Sequence, residues 1–574
     1  MLKLLQSIVS AALFLSTSTS CLTFSGDTST TSSTNTCKCF PGDECWPSRA
    51  EWSSLNATVG GRLIATVPLG TPCHDPNYDE GVCKFLQDNW QFEGVHFDSS
   101  SSVMSPFFAN QSCDPFQPVS RPCKPGNYVR FAINASGPAD IRAAIDFSQK
   151  KNIRFVIRNT GHDYLGRSTG AGALAIWTHH LTDIEFVDWH DSSYTGPAVK
   201  LGAGVQGFQI MEAARDNGLV VVGGECPTVG IAGGYTQGGG HSALSTNFGL
   251  SVDNVLEWEV VTAAGDLVPA REAENSDLFW ALRGGGGSTF GAIISMTVKA
   301  HPDTIVSGAT MSFNATSNSQ GDFYAGVQAF HKALPDIVDA GVMIIYIFTN
   351  TSFTISPTTA YNKTRTEVEK ILAPLVSSLT SLNVVHTVGY SESSTYYDHY
   401  NMYFGPLPIG TIQVGIAQYG ARFIPRAVVG NISETMRRIV EQGATWIGVG
   451  TNVGPFGTHK TTSVHPAWRD AIVHTTFSLP WDFFAPWEDM ISLQDLMTNK
   501  IIPEIEAVTP GSGAYVNEAD FRQPNFQETF WGVNYERLLK IKRRLDPDNF
   551  FYATKGVGSE AWSVAADGRL CRAS

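Results

Sequence analysis

Residues 223–241 read GGECPTVGIAGGYTQGGGH, with eight glycines in the first eighteen positions. Glycine costs roughly 1 kcal/mol against alanine inside a helix and weakens a strand, so no regular element explains this stretch. It makes sense where bare backbone must lie against a flat ligand or a pyrophosphate. A second stretch of this kind, Arg283-Gly284-Gly285-Gly286-Gly287-Ser288-Thr289-Phe290-Gly291, precedes another strand pattern. A Gly/Ser linker is the plain alternative, but both stretches lie among strands and helices, where linkers are out of place.

Outward from there the chain becomes regular at Tyr128. YVRFAIN reads as a strand, ADIRAAIDFSQKK as a helix and RFVIRN as a strand. ALAIWT, EFVDW, AVKLGAG, EWEVVTAAGDLV and AIISMTVKAH add strand patterns, and FQIMEAARDN is a helix closed by Gly218. Strands alternating with helices indicate an α/β region to about residue 302. Between residues 305 and 500, GVMIIYIFTN, TIQVGIAQYGARFI, ATWIGVGTNV and HTTFSLPW predict longer antiparallel strands. Helices such as TRTEVEKILAPLVSSL interleave with them. VNYERLLKIKRRL is an amphipathic helix stopped at Asp546-Pro547. Its basic run, Lys542-Arg543-Arg544, reads as the solvated face of that helix. Gly202-Ala203-Gly204-Val205-Gln206-Gly207 matches the dinucleotide fingerprint, with Glu225 about twenty residues on. Its strand lies deep in the region with no first βαβ unit behind it, which disfavours a nicotinamide cofactor.

The chain has 574 residues, 43% of them hydrophobic, enough for a large core and two domains. A net charge of −14 argues against a nucleic-acid partner. Lys3, the apolar run Ile8–Leu15 and a Ser/Thr stretch predict a signal peptide over residues 1–20, with no membrane span after it. Sequons at Asn56, Asn110, Asn134, Asn314, Asn350, Asn362 and Asn431 agree with a secretory route, extracellular or vacuolar. Residues 21–36 are low-complexity. Of the ten cysteines, Cys21 may leave with the leader. Cys37, Cys39, Cys45, Cys73, Cys83, Cys113, Cys123 and Cys571 can make four disulfides, with the pairing open. Residues 37–122 therefore read as an extended, stapled segment. Cys226 is left over, inside the glycine-rich stretch, and an inert buried thiol is its plain alternative.

Arg158-Asn159-Thr160-Gly161-His162-Asp163 follows the strand RFVI, and a glycine in such a loop lets backbone N–H groups meet an anion. Alone, it also reads as a turn with a surface histidine. No Walker loop, zinc spacing or G-x-S-x-G elbow is present, and no metal is expected.

In order, R-N-T-G-H-D-Y-x-G, C-P-T-V-G-x-x-G-G-x-x-x-G-G-G and R-G-G-G-G-S-x-F-G resemble the vanillyl-alcohol-oxidase superfamily. The nearest branch is that of berberine-bridge-enzyme-like oxidases. Tyr515-Val516-Asn517, Asn534-Tyr535 and Asp546-Pro547-Asp548-Asn549-Phe550-Phe551 match it too, so the resemblance spans about residues 124–560. The Cys-rich extension is similar to that of fungal isoamyl-alcohol-oxidase-type members. The resemblance implies an α+β fold: a two-part PCMH-type FAD-binding domain and a substrate domain with an antiparallel sheet covered by helices. It divides the chain into an N-terminal extension (21–123), an FAD domain (124–304), a substrate domain (305–504) and a C-terminal segment completing the FAD domain (505–574).

It further implies FAD bonded through His162 to the 8α-methyl and through Cys226 to C6. Both positions of the oxidised ring are electrophilic, and imidazole and thiolate suit them as nucleophiles. Arg158, Asn159, Thr160, Gly161, Asp163 and Gly166 of the first motif are implied cofactor contacts. So are Gly224, Val229, Gly230, Gly233, Gly234, Gly239 and His241 of the second, and Asp253 beyond it. Val229 matches the family position that admits dioxygen. Tyr515 and Asn517 match the Y-x-N on the substrate side, and Tyr515 is the expected base in oxidation of a small-molecule alcohol by hydride transfer, with dioxygen as acceptor. Packing against the ring is the alternative for Tyr515, as a core position is for His474, and Glu225 is expected to shape its loop. Ser463-Val464-His465-Pro466-Ala467-Trp468-Arg469 departs from the aromatic-Pro-His-Arg run of plant relatives, so no acidic base emerges and the substrate stays open. An oligosaccharide oxidase, an oxidative cyclase and a non-catalytic flavin carrier are the rivals. A monomer is expected.

Overall fold

The computed structural model describes residues 37–573. The expected signal peptide, the low-complexity stretch and Cys21 lie outside the described residues. Three sheets organise the chain. The first has the strand order Leu63–Ala65, Phe131–Asn134, Leu174–Trp177, Phe155–Arg158. Its last three strands are parallel, joined in part by the helix Pro138–Lys150, which buries Ile141, Ala144 and Ile145 against the sheet. Phe550 and Phe551, from the far end of the chain, enter the same core.

The second sheet is antiparallel throughout, in the order Ile184–His190, Thr195–Gly202, Ala292–Lys299, Val255–Val261, Leu267–Arg271. That settles the fingerprint-like Gly202–Gly207. Its leading strand runs antiparallel to both neighbours, so no parallel βαβ unit exists there. Its glycines serve close backbone packing: a Cβ on Gly204 would lie 2.1 Å from the His179 carbonyl oxygen.

The third sheet has seven antiparallel strands, ordered His386–Ser393, Val306–Asn314, Ser352–Tyr361, Met343–Phe348, Thr445–Gly450, Ala471–Pro480, Ala417–Pro425. Helices Gln320–Asp339, Arg365–Ser381 and Ser433–Glu441 cover one face with Phe323, Phe330, Leu334, Leu372, Leu379 and Ile439. Helix Tyr396–Phe404 helps join the sheet to the rest of the chain: Tyr396 and Tyr400 pack among Val306, Met343, Met211 and Val220. The α+β architecture, with helices over an antiparallel sheet, is as expected. TIQVGI is not strand, because pairing begins only at Ala417.

Two other expectations are corrected. Residues 37–122 are more than an extended stapled segment: they form the helices Arg49–Thr58 and Glu80–Asn89, and Leu63–Ala65 extends the first sheet. The disulfides are Cys37–Cys571, Cys39–Cys45, Cys73–Cys83 and Cys113–Cys123, so one ties the C-terminus back to the N-terminal region. Lys542 is not solvated. It is buried in the helix Tyr535–Leu545, and its ammonium donates to the carbonyls of Thr289 (2.6 Å) and Phe551 (2.7 Å) and to Asp546 (2.6 Å). The Asp546 carboxylate also accepts from the backbone N–H groups of Phe550 and Phe551. This pair thus shapes the turn that sends both phenylalanines into the first core. Among the described residues, no helix is long and apolar enough to cross a membrane.

Lys542→Ala leaves a buried carboxylate and two carbonyls without their cation, and it should destabilise the fold by about 3–5 kcal/mol. Urea unfolding tests this; a variant as stable as the parent would refute the structural role given to Lys542.

Candidate functional site

The first two sheets and the loops around them border a cleft enclosing about 1340 Å³ of empty space, its open mouth included. One wall is the loop after strand Phe155–Arg158. Gly161, at φ +93°, turns it, and a Cβ there would strike the Arg158 guanidinium at 2.6 Å. Asn159 is pinned: its side-chain amide donates to the Ala203 carbonyl, and its own carbonyl accepts from the Trp177 indole at 3.0 Å.

The opposite wall is the glycine-rich segment, and the turn after Gly202 holds it. Gln206 Nε2 donates to the Thr228 carbonyl (2.6 Å), while the N–H groups of Gly207 and Phe208 donate to Val229 (3.0 Å) and Pro227 (2.8 Å). From helix Tyr396–Phe404, the Tyr400 hydroxyl donates to the Gly224 carbonyl at 2.8 Å. Gly230 must be glycine, since a Cβ would meet Asn159 Oδ1 at 2.4 Å.

His162 and Cys226 come together at one end. Thr228 Oγ1 lies 2.8 Å from His162 Nε2 and 3.6 Å from Cys226 Sγ. The Cys226 thiol donates to Glu93 Oε1 at 3.2 Å. One ligand atom each from Glu93, His162 and Cys226 all fall within 4.8 Å of one another. Burial, with the nearby His96 and Arg158, pulls the His162 pKa down to about 3, so its imidazole is neutral. Burial and the charge of Glu93 push the Cys226 thiol up. Among the described residues Cys226 is the one cysteine outside a disulfide.

Further along the cleft sits a charged cluster. His241 lies between Glu225 (3.3 Å) and Glu518 (2.8 Å), and the second Glu518 oxygen faces His474 Nε2 at 2.8 Å. Thr476 also donates to Glu518, at 3.1 Å. Against the penalty of burial, the two carboxylates hold His241 well above its ordinary pKa. Against the same penalty, the two imidazoles hold Glu518 well below its own. Burial, only partly offset by Glu518, lowers His474 and leaves it neutral. An imidazolium–carboxylate pair therefore faces the cleft with a neutral imidazole behind it.

Tyr515 and Asn517 also line the cleft. The Tyr515 hydroxyl accepts from the Gly240 N–H (3.1 Å) and from Asn517 Nδ2 (2.7 Å), and it donates towards the Tyr235 carbonyl. Burial and the charge of Glu518 raise its pKa. This is an anchored phenol rather than a poised base.

Of the residues singled out above, Asn159, Thr160, Gly161, His162, Asp163, Gly224, Cys226, Val229, Gly230, Gly233, Gly234 and His241 line the cleft with Tyr515 and Asn517. Four lie outside that lining. Arg158 is fully buried behind its loop, where its guanidinium donates to the Ser99, His96 and Ser102 carbonyls. Gly166 makes room for the Phe108 ring, and Gly239 packs beside Tyr515 and Val464. Asp253 is held bidentately by Arg469 at 2.8 and 2.9 Å, away from the cleft. Sequence reasoning did not single out Glu93 or Glu518. Glu518 directly follows Tyr515-Val516-Asn517, which was signal enough; Glu93 had none.

Residues 130–271 match the family described as FAD binding domain, and residues 514–558 the one described as berberine and berberine like. The chain is similar to the FAD-linked oxidoreductase ZEB1 of Gibberella zeae, with 66% identity over 94% of this chain and 95% of that protein. The FAD-linked oxidoreductase patO of Aspergillus clavatus is 48% identical over 94% of each chain. The solved VAO-type flavoprotein MtVAO615 from Myceliophthora thermophila C1 superposes with a TM-score of 0.91 at 42% identity, over 94% of this chain and 100% of that one.

Gly230→Ala should overpack the wall by about 1–3 kcal/mol and purify with severalfold less FAD per chain. Absorbance of the purified variant measures this; an unchanged flavin content would contradict the close approach to Asn159.

Proposed function

The chain belongs to the berberine-bridge-enzyme-like branch of the vanillyl-alcohol-oxidase superfamily and is an FAD-linked oxidoreductase; on that footing we propose a secreted oxidase with FAD bonded through both His162 and Cys226. Its substrate is an alcohol group on a small molecule, and dioxygen takes the electrons as hydrogen peroxide. One observation carries the reading: a neutral imidazole and an unpaired thiol share one corner of a cleft floored by glycine backbone. The residues suit the cofactor in a second way. Asn159 Oδ1 and Gln237 Oε1 are buried in the cleft walls without hydrogen-bond partners, so the cleft calls for a ligand that donates to them. When bound, flavin supplies the electron sink, taking a hydride at N5 and passing the electrons to dioxygen.

Glu518 takes the substrate hydroxyl proton. Its carboxylate is ionised and reaches the cleft, whereas the Tyr515 phenol is already committed to backbone. A carbinol proton becomes strongly acidic as the hydride departs, so a carboxylate of low basicity is sufficient. His241 holds that carboxylate in place, and its positive charge offsets negative charge arriving in the site. Tyr515 and Asn517 position the substrate. Val229 leaves the cleft open to dioxygen. Ile412 and Val414 also line the cleft and offer a substrate apolar contact. Four disulfides and a predicted leader support the secretory route.

Glu518→Gln should keep its flavin spectrum and slow anaerobic flavin reduction by an alcohol about 10²–10⁴-fold. Because Glu518 is held below the ordinary 4.5, wild-type kcat/KM should hold its neutral value down through that pH. A midpoint above pH 5, or undiminished reduction in the variant, would move the base elsewhere. A yellow enzyme producing no peroxide from any alcohol, sugar or phenol would support the non-catalytic rival.

A further inference from the structure

Glu93 stands out as a carboxyl with no counter-charge. It is fully buried at the start of the short turn Glu93–Val95 in the N-terminal Cys-rich segment. Oε1 receives the Cys226 thiol at 3.2 Å, and Oε2 is buried with no hydrogen-bond partner. Among the described residues, no Lys or Arg lies within ion-pair distance of it. Such a placement costs a charged carboxylate several kcal/mol unless it is paired, and an unpartnered buried oxygen calls for an explanation. Burial accordingly raises its pKa.

The loop bearing Glu93 is fixed from the cofactor side. Arg158, at the head of the His162 loop, donates to the carbonyls of His96 (3.3 Å), Ser99 (2.8 Å) and Ser102. Of the other bases nearby, His162 has its Nε2 at the Thr228 hydroxyl and in the doubly bonded reading is itself spent on the flavin, and Glu225 turns away to His241. The buried thiol itself does not ionise readily, and the thiolate is the nucleophile.

We propose that Glu93 is the base that takes the Cys226 thiol proton as the sulfur bonds to flavin, making the N-terminal segment part of the machinery that builds its own cofactor site. The inference rests on the doubly bonded reading above. Over the whole step one S–H and one flavin C6–H bond break and one S–C6 bond forms. Two protons and two electrons leave to dioxygen, which becomes hydrogen peroxide. Glu93 carries the first of those protons.

The test compares wild type, Glu93→Gln and Glu93→Asp, each denatured without reduction, alkylated and mapped by mass spectrometry. Because Cys226 is the one described cysteine outside a disulfide, alkylation there reports a missing S–C6 bond directly. Wild type should show flavin on Cys226. Glu93→Gln should show flavin on His162 with Cys226 alkylated, and in air should form the second bond about 10²-fold or more slowly. Its rate should climb tenfold per pH unit as the thiol ionises unaided. Glu93→Asp should recover part of the rate. Flavin retained on His162 shows that the variants fold; if Glu93→Gln takes up none, Glu93→Asp and the wild-type pH profile decide. Glu93→Gln linking as fast as wild type, or Glu93→Asp linking with an unaltered rate and pH profile, overturns the inference alone. Full alkylation of Cys226 in wild type overturns the doubly bonded reading, and the inference with it.

Discussion

A buried guanidinium holds the two halves of this site in register. Arg158 has no carboxylate partner and spends its donors on carbonyl oxygens of residues 96–102 and on Thr160. Burial lowers its pKa to about 9, so it stays charged at neutral pH and its donors cannot be left unmet. Gly161 lacks the Cβ that would collide with it. The loop carrying His162 and the N-terminal segment carrying Glu93 are therefore locked together, and Cys226 meets both.

The C-terminal segment performs a second joining. Glu518 and Tyr515 enter the cleft, Phe550 and Phe551 enter the first core, and Cys571 closes onto Cys37. Lys542 and Asp546 fix the turn between these commitments. His474, on the third sheet, reaches the same Glu518 carboxylate that His241 holds. The cleft thus draws on all parts of the chain, which suits chemistry that needs water excluded and charges held still.

What the sequence made legible was local. Gly161, Gly230 and the order of the motifs follow from backbone that must pass close to something, and such demands appear as residue identity. Periodicity marked an α/β region followed by longer antiparallel strands, the α+β division came with the family resemblance, and the surplus of Cys226 came from counting. Lys542 was readable and misread: it stands four residues after Leu538 and one after Ile541, on the apolar face of its helix. Charge alone suggested solvent, but spacing placed it inside. Asp253 and Arg469 were seen in separate contexts, and only folding shows them as a pair. Glu93 was illegible because its partner lies 133 residues away and its own surroundings carry no pattern. Tyr515 was legible from its motif, but its hydroxyl's commitment to Gly240 and Asn517 and the pairing of nearby Glu518 with His241 and His474 depend on folding.

The central claim is that one flavin is bonded to both His162 and Cys226. Digestion of the holoenzyme followed by mass spectrometry tests it most directly. A single flavin-bearing species joining the His162 peptide to the Cys226 peptide is the predicted result. Two unmodified peptides, with all the flavin released by denaturation, would contradict the account.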